Sequence, residues 1–199
     1  MFPPPDFVDP QPSEPALSEA SEVPTWIVRP ERPEDAPLVE ALNETAFGPG
    51  RFAKSAYRLR EGVSQVDALA FVAIEDGELR GSVRFWPVAI GGHKVLMLGP
   101  LAVHASQRGR GIGVALMERA LDEARRLGHS VVILVGDEPY YARVGFSKLP
   151  PGRVRFPGPV DPSRILGLSL KANALLNLSG EVRRAHLDDA VCADGAGLG

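Results

Sequence analysis

Apolar residues recur at three- and four-residue steps at Leu38, Val39, Leu42 and Ala46, directly behind the acidic pair Glu34-Asp35. That spacing predicts a helix, which Gly48-Pro49-Gly50 stops. Ahead of it, Trp26-Ile27-Val28 reads as a short strand closed by Pro30 and Pro33. A weaker helical pattern spans residues 51–60 and ends at Gly62. Two apolar runs, 69–74 and 79–90, flank Asp76-Gly77, whose glycine supplies the positive φ of a tight hairpin turn. Gly91-Gly92 makes a second turn into a third strand at 95–103, so the three strands form an antiparallel meander.

The periodicity then switches. Ile112, Ala115, Leu116, Ala120, Ala124 and Leu127 line one face of a helix that Gly128 terminates, with Asp122 and Arg126 one turn apart on the other face. Residues 131–135, Val-Val-Ile-Leu-Val, are continuously apolar and β-branched, the mark of a strand buried on both faces. Strand, helix and strand at this spacing make one βαβ unit with parallel outer strands. A short helix at 139–144 and strands at 165–170 and 182–185 complete the pattern. The fold class is α/β (α+β): a mixed, mostly antiparallel sheet of about six to seven strands with flanking helices.

Composition narrows the picture. The chain has 199 residues, 44% hydrophobic and 24% charged, which suits one domain with a real core. No apolar run reaches the ~20 residues of a membrane span, and the opening residues lack the basic and apolar regions of a secretory leader. The single cysteine, Cys192, excludes an internal disulfide or a thiolate metal cluster, and no metal site is expected. A reducing, cytoplasmic setting follows. Residues 1–25 hold five acidic residues, no Lys or Arg, and seven of the 19 prolines. Such a segment buries too little apolar surface to offset its ordering entropy, so it is expected to be a disordered tail or a partner-binding one. The folded unit is placed at 26–187, followed by a flexible tail at 188–199. The net charge of −3 gives no basic footprint for nucleic acid.

The chemistry concentrates in Gln107-Arg108-Gly109-Arg110-Gly111-Ile112-Gly113, between a strand and a helix. Alternate glycines let backbone amides approach a ligand, and the following helix offers unpaired N–H groups at the positive end of its dipole. That arrangement favours a phosphate or pyrophosphate. A dinucleotide fingerprint requires glycine at 114, where Val stands. A P-loop requires Lys and Ser/Thr where Val114 and Ala115 stand. The remaining alternative is a tight turn with no ligand.

Arg108-x-x-Gly111-x-Gly113 after Leu101-Ala102-Val103 resembles the pyrophosphate motif of the GNAT superfamily of acyl-CoA-dependent N-acyltransferases. Tyr140-Tyr141-Ala-Arg143-Val-Gly145-Phe146 resembles its second motif, in which a Tyr precedes Gly-Phe by four residues. Residues 98–146 are similar to the YhbS-like bacterial branch. Arg29-Pro30, the 46–50 run, Arg84-Phe85-Trp86-Pro87 and the 178–184 run extend the likeness to about 26–187. The resemblance implies acetyl-CoA as cosubstrate and an unidentified amine, on a small molecule or protein, as acceptor. It implies that strands 95–103 and 131–135 splay apart, with Leu101 and Val103 pairing with the pantetheine arm. Gly99-Pro100 supports this, since proline cannot donate to a ladder. The pyrophosphate falls to Arg108, Gly109, Arg110, Gly111, Ile112 and Gly113, chiefly through backbone amides.

By the same resemblance Tyr141 is the acid for the departing thiolate. Packing against the neighbouring helix is the other reading of Tyr140 and Tyr141. For the base, relatives use a Glu that this chain lacks on the strand. His104, with an unperturbed pKa near 6.5, is one candidate. Asp137, Glu138 and a water relay are others. The Asn that relatives carry before the Tyr is absent, and Gly136-Asp137 forms a shorter connection. Lys54, Tyr57, Arg58 and Arg60 favour an anionic acceptor, Phe85 and Trp86 a planar one, and ordinary packing is the plainer reading of all six. A homodimer through edge strands is common in folds of this type. The rival functions are a non-catalytic acetyl-CoA or CoA sensor, and an interaction protein working through its N-terminal tail.

Overall fold

The computed structural model describes residues 25–50 and 55–186. The tails expected at 1–25 and 188–199 lie outside these residues, Thr25 excepted, as does Lys54. Nine strands and four α-helices follow in order: β1 (Ile27–Pro30), α1 (Ala36–Phe47), α2 (Ser55–Arg58), β2 (Phe71–Glu75), β3 (Glu78–Ile90), β4 (His93–Val103), α3 (Ile112–Arg126), β5 (Val131–Val135), α4 (Glu138–Tyr141), β6 (Ser147–Lys148), β7 (Val154–Arg155), β8 (Ile165–Ser169) and β9 (Gly180–Arg184). The sheet runs β1-β2-β3-β4-β5-β8-β6, and β9 continues the β2 edge of β3 by pairing with Val88, Ala89 and Ile90. The extra strands over the six or seven expected are two-residue pairings, β6 and β7, too short to leave a period in the sequence. β4 and β5 are parallel and joined through α3, as the βαβ reading requires.

Alternation of side chains divides the core into two layers. Leu96 and Leu98 of β4, with Val132 and Leu134 of β5, pack under α3. Val95 and Met97, with Val131 and Ile133, pack on the opposite face against Leu59, Leu149, Phe156 and Leu178. This double burial is why residues 131–135 are apolar without alternation. α3 seats Ile112, Leu116, Met117, Ala120, Leu121 and Ala124 on the sheet. It presses on β3 at Gly81, where a Cβ would lie 2.9 Å from Ile112 Cγ2. On the outer face of α3, Arg126 pairs with Glu123 at 2.5 Å and Asp122 with Arg125 at 2.8 Å. The expected Asp122–Arg126 pair gives way to these three-residue pairs, because Glu123 offers Arg126 a nearer carboxylate.

One irregularity shapes the sheet. Val83 faces Leu101 and Phe85 faces Leu98, so Gly99 and Pro100 together oppose Arg84 alone. This bulge bends β4. On its other edge, β4 pairs with β5 only at Leu96–Val132 and Met97–Ile133. On its own other edge β5 stays paired with β8 from Val131 to Val135, so the two parallel strands part after Met97 while the rest of the sheet continues.

Beside the bulge, Arg84 is buried and satisfied by carboxylates. It donates to Glu31 from Nε at 2.9 Å and Nη2 at 2.5 Å, and to Glu40 from Nη1 at 2.8 Å. The cluster ties β3 to the β1–α1 connection. Arg84→Met leaves the Glu31 carboxylate buried without its partner, and should cost about 3–5 kcal/mol in urea denaturation. A loss below 1 kcal/mol would show that the cluster does not brace the sheet.

Candidate active site

The parting of β4 and β5 opens a cleft with two arms. The first, about 470 Å³, is walled by residues of β4 from Met97 to Leu101, by Ala56, Tyr57 and Arg60, and by Val160, Asp161 and Arg164. The second, about 540 Å³, runs past Leu101 and Val103 to the N-terminus of α3. Phe47, Leu101, Asp137 and Tyr141 line both arms. Tyr141 therefore stands where the arms meet.

The second arm is shaped by the glycine turn. Gly109 (φ 84°) and Gly111 (φ 82°) adopt the left-handed region, and a Cβ on either would project into open space. Helix α3 thus begins without a side-chain cap, leaving its first amides to a ligand. Gly113 is needed for another reason. A Cβ there would fall 2.0 Å from Tyr140 Oη, so Tyr140 rests directly on the first turn of α3. Arg108 and Arg143 supply this arm's guanidinium groups, and Arg143 stands 6.0 Å from the Tyr140 ring centre.

Arg110 turns elsewhere. Its guanidinium grips Glu75 at 2.7 and 2.8 Å and also donates to Thr25 at 2.8 Å and to Gln107. It ties the glycine turn to the end of β2, so among the arginines of the turn Arg108 is the one whose side chain lines the arm. Arg110 and Thr25 hold the Glu75 carboxyl at about 2, against an ordinary 4.5. A carboxylate depressed in the folded state contributes its stability above the unfolded value, and loses it as pH falls through the folded one. The wild type should therefore lose Tm between pH 4.5 and 2 more steeply than Glu75→Gln. Parallel acid melts would remove Arg110–Glu75 from the stabilising contacts.

Tyr141 comes from the short α4, started by Pro139 after Asp137. Its ring packs edge-on to Phe146 and Tyr140, at centre separations of 6.1 and 5.2 Å. Burial, then the neighbouring Tyr140 and Asp137, push its phenol up to about 12. The group stays protonated across the working pH range and can donate. Its seat depends on Gly136, where a Cβ would come within 2.2 Å of Tyr141 Cε2. The short Gly136-Asp137 connection thus brings backbone where a side chain would block the ring. Gly136→Ala should cost about 1–3 kcal/mol by overpacking, read in urea melts; a neutral change would place the ring elsewhere.

The candidate bases separate by position. His104 is exposed, and its Nδ1 accepts from the Ser106 amide at 3.4 Å, beside Ser106 Oγ at 2.9 Å. It lines a different hollow, with Leu38, Leu42 and Arg80, away from both arms. Glu138 is paired with Lys148 at 2.9 Å, which holds its carboxyl below the usual range. Asp137 lines both arms, with Arg164 at 3.3 Å. Tyr140 over Gly113 and the burial of Arg60 were not legible beforehand. A glycine inside the first turn of a helix, where no positive φ calls for one, was the signal for the former.

Residues 36–146, which hold the strand–glycine turn–helix crossover and both of the parted parallel strands, match the model of the Acetyltransferase (GNAT) family. The chain belongs to that family. Within it, the chain is similar to the uncharacterized N-acetyltransferase YhbS of Escherichia coli K12, with 36% identity over 123 residues, 60% of this chain and 72% of that protein. The crystal structure of Escherichia coli YhbS in complex with CoA superposes with a TM-score of 0.68 and 31% identity, covering 88% of this chain and 94% of that one. A GNAT family acetyltransferase from Brucella melitensis in complex with acetyl-CoA gives a TM-score of 0.59 at 29% identity, covering 80% and 96%. No helix among the described residues is long and apolar enough to cross a membrane.

Proposed function

We propose that the protein transfers an acetyl group from acetyl-CoA to a primary amine by direct attack in a ternary complex. The observation that carries this reading is the meeting of two arms at a half-buried, protonated phenol. One arm ends on a phosphate-suited helix start, and the other is a separate room for an acceptor. Relatives crystallised with CoA and acetyl-CoA support the choice of ligand for the first.

Backbone amides of residues 109–113 hold the pyrophosphate, with Arg108 and Arg143 adding charge. Gly109 and Gly111 fit this role because nothing stands where their side chains would be. The edge of β4 that β5 abandons after Met97 leaves Leu101 and Val103 to pair with the pantetheine amides, completing the ladder with ligand. At the junction, the amine lone pair attacks the thioester carbonyl and the C–S bond breaks. Tyr141 gives its phenolic proton to the departing sulfur. Asp137, directly or through one water, takes the proton the amine loses.

Tyr141→Phe should lower the rate of thiol release about 10²–10⁴-fold while acetyl-CoA affinity stays within a factor of two. Equal turnover would remove Tyr141 from the chemistry. Gly111→Asp places a carboxylate in the open space at the start of α3 and should abolish acetyl-CoA binding in calorimetry. Unchanged affinity there would sink the assignment of the second arm. Thiol release with any primary amine separates the enzyme from a binding module of the same fold.

A further inference from the structure

Arg60 is a half-buried cation that the proposed reaction leaves without work. It follows α2 on the wall of the first arm, and its Nε and Nη1 are buried with no hydrogen-bond partner. Aromatic faces give partial compensation: the guanidinium carbon lies 4.5 Å from the Tyr57 ring centre and 5.8 Å from that of Trp86. Nη2 reaches the Gly99 corner, 3.0 Å from where a Cβ would stand, at the point where β4 leaves β5. Burial draws the group's pKa down to about 10, which leaves it charged at neutral pH.

Among the described residues no carboxylate bonds it. Tyr57, by charge and hydrogen bond, and Glu40 through space favour the charged guanidinium, but the Glu40 carboxylate is held by Arg84 at 2.8 Å. Arg84 shows how this protein satisfies a buried guanidinium, with two carboxylates and three hydrogen bonds. Of the other charged groups of the arm, Asp137 pairs with Arg164 at 3.3 Å, and Asp161, still charged, accepts from Ser163 at 2.7 and 2.9 Å. Buried guanidinium nitrogens with unmade hydrogen bonds cost free energy that an arriving anion returns in part.

We infer that the acceptor carries a carboxylate as well as its amine, and that Arg60 binds this carboxylate at the inner end of the first arm. The inference rests on the acyl-transfer reading of the cleft. A guanidinium with unmade hydrogen bonds beside the Gly99 corner matches a planar anion. The planar fork of the guanidinium suits a carboxylate, with Nη2 as the first contact. Arg60 is thus a specificity-determining residue: it holds the far end of the acceptor while the amine reaches toward Tyr141. An amine with a neutral tail leaves the guanidinium as unsatisfied as it is without ligand.

The test uses pairs of amines with one skeleton: glycine and glycinamide, β-alanine and β-alaninamide, 4-aminobutyrate and its amide. The full chain, shown by calorimetry to bind acetyl-CoA, is assayed by thiol release. Acids should exceed their amides about tenfold or more in kcat/KM, mainly through KM. Arg60→Gln should bring the ratio to near one, and Arg60→Lys should restore part of it. Amides turned over as well as acids throughout the panel, or a ratio that survives in Arg60→Gln, would overturn the inference. If no pair reacts, the N-acetylated acids and amides serve as product probes in thermal melts. A Tm rise with the acids alone supports the assignment, and no difference between acids and amides refutes it. Should Arg60→Gln fail to fold, the acid-to-amide comparison on the wild type decides alone. Loss of acetyl-CoA binding would instead strike at the acyl-transfer reading itself.

Discussion

The interaction on which the rest depends is one that β4 does not make. After Leu96 and Met97 it loses β5 as a partner, because Gly99 and Pro100 bulge opposite Arg84 and turn the strand away. Backbone groups rarely go unpaired inside a protein. A strand edge released in the middle of a sheet is therefore a binding surface waiting for its ladder. Every part of the cleft is arranged around this opening. The glycine turn lies at one end, α4 brings Tyr141 to the middle, and Arg60 closes the other end beside Gly99.

Three arginines near the cleft show how environment assigns different work to the same side chain. Arg84 meets its hydrogen-bonding needs with Glu31 and Glu40 and braces the bulge. Arg110, on the phosphate-suited turn, spends its charge on Glu75 and fixes the position of the turn rather than facing a ligand. Arg60 lies half-buried against Tyr57 and Trp86, without a bonded anion among the described residues. Sequence position alone offered Arg110 equally with Arg108 for ligand contact. Geometry ranks it behind Arg108 and Arg143.

Much of the fold was legible because its period is strong. The meander, α3 and the buried β5 each carry an apolar repeat set by side-chain direction, a local property. Gly99-Pro100 announced the broken ladder in the same way. What stayed hidden depends in part on contacts between distant segments. Tyr140 resting on Gly113 is settled by packing in space, whereas Tyr141 seated on Gly136 and Arg126 choosing Glu123 over Asp122 are local choices of side-chain direction that no apolar repeat records. His104 illustrates the limit: adjacent in sequence to the cleft strand, it lines another hollow because the chain turns just past Val103. The sequence already marked the glycine turn as a candidate phosphate seat, but only the shared lining of the two arms ties it to Tyr141.

The central claim is that the opening between β4 and β5, with the start of α3, is a site for acetyl-CoA. Calorimetric titration of the full chain with acetyl-CoA, alongside ATP and NAD, tests it most directly. The account predicts one site with micromolar affinity for acetyl-CoA and no comparable heat from the two nucleotides, whose phosphates could use the helix start but not the strand edge. Equal binding of ATP or NAD, or no binding of acetyl-CoA by protein shown to be folded, would contradict it.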